Sequence, residues 1–92
     1  MYGSKMKSEE TDRLFEAILS LRDLEECYRF FDDLCTFSEI QAMTQRLQVA
    51  EMLQAGSTFA QISKEIGVSS ATITRVNKCI SYGADGYRIV LG

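Results

Sequence analysis

At 92 residues the chain is sized for one small domain, with 46% apolar residues and a formal net charge of −3. It contains no histidine, which removes Ser–His and Cys–His nucleophile pairs, and its three cysteines have no CxxC spacing. That odd set argues against a disulfide framework or a zinc site and fits a reducing cytoplasm.

The N-terminal MYGSKMKSEE lacks the apolar centre of a signal peptide, and no apolar run reaches membrane-spanning length, so a soluble protein is expected. Residues 1–8 are polar and read as a flexible segment. From about Glu9 the period turns helical, with Leu14, Phe15, Ile18 and Leu21 on one face. Asp23 with Glu26 makes a capping-box pattern for a second helix. Its stripe is Leu24, Cys27, Tyr28, Phe31, Leu34 and Cys35, with Phe30 beside it. Ser38 with Gln41 repeats the capping signal before a longer third helix. There Ile40, Met43, Leu47, Ala50 and Leu53 share one side, while Val49 and Met52 lie on another, which predicts burial from two directions. Gly56 is expected to end that helix in a left-handed turn. Residues 9–56 are too apolar for so small an interior, and a second copy would supply the missing partner.

Beyond Thr58 the character changes. Residues 1–57 hold six basic and eleven acidic side chains, whereas residues 58–92 hold four basic and two acidic ones. A cationic patch on an acidic body meets a polyanion in one orientation. Within TFAQISKEIGVSSATITRVNKC, residues 58–79, a short helix from Phe59 to Ile66 reaches Gly67, and a second helix starts at about Ser70. Ile62 and Ile66 form the inner face of the first, Val68 plugs the turn, and Ile73 and Val76 form the inner face of the second. Ser63 is small enough for the helices to meet. Residue type and spacing match a DNA-binding helix-turn-helix at six places.

The face left outward is Ser69, Ser70, Ala71, Thr72, Thr74, Arg75 and Lys78. Ser and Thr are mediocre helix formers, so a merely solvated helix would favour longer polar residues. Short side chains let a helix sit deep in the major groove, where methyl groups meet thymine and hydroxyls meet base edges or phosphates. These seven residues are the predicted contacts to double-stranded DNA. The tail YGADGYRIVLG, within residues 80–92, reads as a turn and a short helix.

The run RLQVAEMLQAG followed by EIGVSSATITR resembles the tryptophan repressor superfamily. With LSLRDLEECYRFFDDLCTFSEIQAM and NKCISYGADGY included, the chain is similar to the YerC/YecD branch of small bacterial Trp-repressor-related proteins. The resemblance implies an all-α fold in which the N-terminal helices of two chains interlock. It implies a homodimeric bacterial transcriptional regulator of repressor type on a palindromic operator, with two reading heads on the order of 34 Å apart.

The resemblance also implies a possible effector site at Arg46, Arg75, Val76 and Cys79. Arg46 and Arg75 match the two arginines that hold the indole in tryptophan repressors. Val76 stands where those repressors have glycine, and Cys79 where they have serine. A branched side chain in a tight aromatic slot overpacks it, which argues against L-tryptophan as the ligand. No cofactor is implied. From the residues alone Arg46 equally suits an ion pair with Glu51 or Glu39, and Arg75 a phosphate contact. Phe59, Ala60 and Ser63 replace polar and basic side chains of the repressors, which predicts a shallow salt dependence. The competing reading is a dimerisation or protein-interaction module with weak or no DNA binding. An enzyme is disfavoured, because Glu25, Asp32 and Asp33 lie on an outer, solvated helix face.

Overall fold

The computed structural model describes residues 2–92, and the described residues form helices and connecting turns with no strand. The helices are α1 (Glu9–Leu19), α2 (Leu24–Leu34), α3 (Phe37–Gln54), α4 (Phe59–Ile66), α5 (Ser70–Tyr82) and α6 (Gly86–Leu91). The chain divides into two units, one ending at Thr36 and one over Phe37–Gly92.

In the first unit, Ser8 closes the start of α1, its Oγ accepting from the Thr11 N–H at 3.0 Å. The residues before it include a turn closed by the Lys7 N–H to the Ser4 carbonyl, 3.2 Å. α1 ends at Leu19, so Leu21 lies outside the helix whose apolar face it was expected to extend. The Ser20 hydroxyl donates to the Ala17 carbonyl at 2.6 Å, a local bond that competes with helix continuation.

At α2 the expected capping box is half formed. Asp23 accepts from the Glu26 N–H at 2.9 Å. The Glu26 carboxylate bonds the Arg22 N–H at 2.9 Å rather than that of Asp23. It also takes the Arg22 guanidinium at 2.7 and 3.0 Å. This side-chain bond holds the Glu26 carboxyl below its ordinary range and raises Arg22. Neither α1 nor α2 has a buried residue. Leu24 and Tyr28 are 77% and 72% exposed, and Cys35 falls just past the helix end.

The second unit is organised on α3, which packs against α4, α5 and α6. α3 starts at Phe37, so Ser38 sits inside its first turn instead of capping it. The Thr36–Phe37–Ser38–Glu39 segment offers a capping-box spacing two residues earlier, with Glu39 in place of Gln41. Gly56 ends the helix as expected, at φ +87°. The Ser57 N–H reaches the Met52 carbonyl at 3.0 Å and the Gly56 N–H the Leu53 carbonyl at 3.1 Å. The core is Val49, Ala50, Ile62, Val68, Ile73 and Val76, flanked by Met52, Leu53, Ile66, Ile80, Tyr87 and Leu91. Full burial in α3 is confined to Val49 and Ala50 in its C-terminal half, while Phe37 and Met43 on its N-terminal half, and Leu47 just past its middle, stay exposed.

α5 runs to Tyr82, three residues beyond the motif end expected at Cys79, so the following turn shrinks to residues 83–85. Gly83 allows that turn: a Cβ there would lie 2.3 Å from the Cys79 carbonyl oxygen.

Candidate nucleic-acid interface

The α4–turn–α5 unit is assembled by local rules. Thr58 and Gln61 form a complete capping box, with the Gln61 N–H to Thr58 Oγ1 at 3.2 Å and the Thr58 N–H to Gln61 Oε1 at 2.8 Å. Gly67 takes φ +78°, ψ 24°, the left-handed turn that glycine adopts without a Cβ penalty. Its N–H closes on the Ser63 carbonyl at 2.9 Å. Ser63 is more than small, because its hydroxyl donates to the Val68 carbonyl at 3.0 Å and ties the turn to α4. Ile62 and Ile73 are fully buried, Val76 is 1% exposed and Val68 9%, so the inner face is the one the spacing predicts.

The outer face of α5 is largely open. Ser70, Ala71, Thr74, Arg75 and Lys78 are exposed, as is Ser69, while Thr72 is half-buried. Ser69 is occupied as the N-cap, accepting from the Thr72 N–H at 3.3 Å and lying 3.3 Å from the Thr72 hydroxyl. These two residues, expected to be DNA contacts, are seen to shape the start of the helix, a role that spacing did not reveal. Ser70, Ala71, Thr74, Arg75 and Lys78 remain as the open surface.

Charge follows the same division. In the first unit Lys7 pairs with Asp12, Arg22 with Glu26 and Arg29 with Glu25. Among the described residues no ion pair engages Arg75, Lys78 or Arg46, so the suggested Arg46 pairing with Glu51 or Glu39 does not form. The exposed cations of α5 are thus electrostatically uncommitted.

The four possible effector residues sit in unlike surroundings. Arg46 is half-buried on α3, Arg75 and Cys79 are exposed on α5, and Val76 belongs to the core. A cavity of about 480 Å³ opens nearby, lined by Leu47 of α3, Cys79 of α5, and Tyr87 and Val90 of α6 among others. Of the four, only Cys79 reaches it. Tyr87 and Val90 were not singled out from sequence, where the apolar run of the tail was their sole signal. Among the described residues, no group of three or more Cys, Asp or Glu side chains is placed to hold a metal ion. No helix there is long and apolar enough to cross a membrane.

Three comparisons bear on this arrangement. Residues 9–92 match the Trp repressor protein family. The uncharacterized protein YerC of Bacillus subtilis (strain 168) is 58% identical over 91 residues, covering 99% of this chain and 88% of its own. The crystal structure of a candidate Trp repressor from Staphylococcus aureus superposes with a TM-score of 0.90 at 52% identity, covering 95% of this chain and 87% of that one. A TrpR-like protein from Eubacterium eligens ATCC 27750 gives a TM-score of 0.90 at 49% identity, with 94% and 89% covered. A helix-turn-helix with an uncommitted cationic face, an all-helical frame and a family match from Glu9 to Gly92 converge: the chain belongs to the Trp repressor protein family, in its YerC-related branch.

Proposed function

We propose that this protein is a sequence-specific double-stranded DNA-binding transcriptional regulator of repressor type, acting in the cytoplasm as a homodimer on a palindromic operator. The observation that carries this reading is the outer face of α5. Short side chains at Ser70, Ala71 and Thr74 stand beside unpaired Arg75 and Lys78, on a helix whose inner face is fully packed. A helix with that face enters the major groove with methyls and hydroxyls toward base edges and cations toward phosphates. Sparse charge on α4, where Phe59, Ala60 and Ser63 precede the turn, keeps the number of released counterions low.

The homodimer rests on surface. The chain exposes 7417 Å². Two separate compact bodies of the sizes of its units would expose only about 6,500 Å². The excess is comparable to the roughly 800 Å² that each partner contributes to a standard interface. Exposed Leu14, Phe15, Leu24, Tyr28 and Leu34 on α1 and α2 are its apolar part.

The test is in vitro selection of duplex DNA from a random pool. A palindrome whose half-sites lie about one helical turn apart, roughly 34 Å, is expected. Enrichment of no sequence would sink the reading.

A further inference from the structure

We propose that α5 is locked in its DNA-reading position by its own side chain at Val76, so that DNA binding requires no small-molecule effector. The inference rests on the DNA-binding reading above and concerns its regulation. Val76 and Ile73 are 1% and 0% exposed, and on the facing helix Val49 and Ala50 are both 0% exposed. The space between α3 and α5 at this level is filled by the chain's own aliphatic groups.

Arg75 immediately precedes Val76 in the sequence and is exposed. Successive helical residues differ by about 100° in direction, so the reading residue and the anchor are set by one rotation of the helix. Turning α5 to redirect Arg75 would lift Val76 out of the core. The ends of α5 are fixed as well. Its start is held by the left-handed Gly67, the Ser63 hydroxyl on the Val68 carbonyl and the Ser69 cap. At its end the Gly83 N–H donates to the Cys79 carbonyl at 2.8 Å, with no room for a side chain.

An effector shifts an equilibrium only by binding one state better than another. Here the group that would distinguish the states is covalently part of α5. The cavity near α6 meets α5 itself through Cys79 and not through Arg75 or the residues facing outward before it.

The experiment uses the full chain, purified in denaturant and refolded to strip bound small molecules. In vitro selection runs in parallel on this protein alone and with the small-molecule fraction of a bacterial extract added. Duplex enriched in both arms is expected, with dissociation constants by fluorescence anisotropy agreeing within about twofold. Enrichment only with extract, or tightening by about fivefold or more, overturns the lock and leaves the DNA-binding function standing. Enrichment in neither arm overturns both.

Amide hydrogen exchange on the refolded, DNA-free protein tests the lock separately. Amides of α5 from Ile73 to Lys78 are expected to be as protected as those of the buried half of α3, and exchange at loop rates overturns the inference. Val76→Ala is expected to reduce that protection and weaken DNA binding, each about tenfold, whereas no change in either overturns it. Should that variant not fold, the exchange of the unaltered protein decides.

Discussion

The two units carry similar helices and opposite economies of burial. α1 and α2 are amphipathic, correctly capped and locally ion-paired, yet bury no residue completely. α3 to α6 have fewer charges and surround a six-residue core. Isolated helices of 11 residues are marginal in water, so the first unit relies on surface it does not contain, whereas the second supplies its own. The cations differ too: Lys7, Arg22 and Arg29 of the first unit are ion-paired, whereas among the described residues Arg75 and Lys78 of α5 are not. On the proposed function, the assembly surface and the reading surface fall in different segments of the chain.

The largest expected effect probes the self-sufficient core. Ile73→Ala removes a fully buried side chain between α5 and its neighbours. It should cost about 2–5 kcal/mol in urea unfolding followed by circular dichroism. A loss below about 1 kcal/mol would show that the second unit is not a packed core.

Next, Leu24→Ala with Tyr28→Ala tests the incomplete unit. Both side chains are largely exposed in the single chain, where such truncations cost at most about 0.5 kcal/mol each. If a second copy covers them, the double variant should lower the melting temperature in a way that depends on protein concentration and shift the dimer toward monomer in analytical ultracentrifugation. Unchanged sedimentation would place the dimer contact elsewhere.

Replacing Thr74, Arg75 and Lys78 together by alanine addresses the reading surface. All three are exposed and none is in an ion pair. Affinity for a selected palindrome should fall by about tenfold or more with melting temperature and dimer intact. Binding at the original strength would favour the protein-interaction reading instead.

The smallest effect concerns the committed charges of the first unit. Arg22 holds the exposed Glu26 carboxyl below its ordinary range. A carboxyl depressed on folding adds stability that is present above its unfolded value and fades as pH falls through the folded one. Arg22→Ala should therefore remove a slight contribution near neutral pH and leave strongly acidic stability unchanged. A shift of comparable size at every pH would point to lost packing of the Arg22 stem.

Local rules made much of this legible in advance. Spacing alone bounds α4 at Phe59 and Ile66, puts left-handed turns at Gly56 and Gly67, and identifies Ile62, Val68, Ile73 and Val76 as core, all as observed. Such features depend on spacing and on backbone conformations that glycine favours. The misplacements have local causes too. Leu21 follows a serine that bonds back to α1, and Ser38 follows a threonine that offers an earlier start to α3. The capping of α5 by Ser69 through Thr72, and the hydroxyl tie from Ser63 to Val68, needed the tertiary structure because a side-chain oxygen has several partners within reach.

By itself the sequence determined an all-helical chain, a short helix, a turn and a second helix beginning at Thr58, and an α5 face of short polar side chains with two cations. Periodicity and glycine placement are encoded locally, so they can be read locally. Tertiary structure decided which apolar stripes find partners within the chain. The stripes of α1 and α2 look as hydrophobic as that of α5, but only α5 meets enough neighbouring surface to exclude water. That outcome depends on contacts between residues distant in the chain, and no local pattern carries that information.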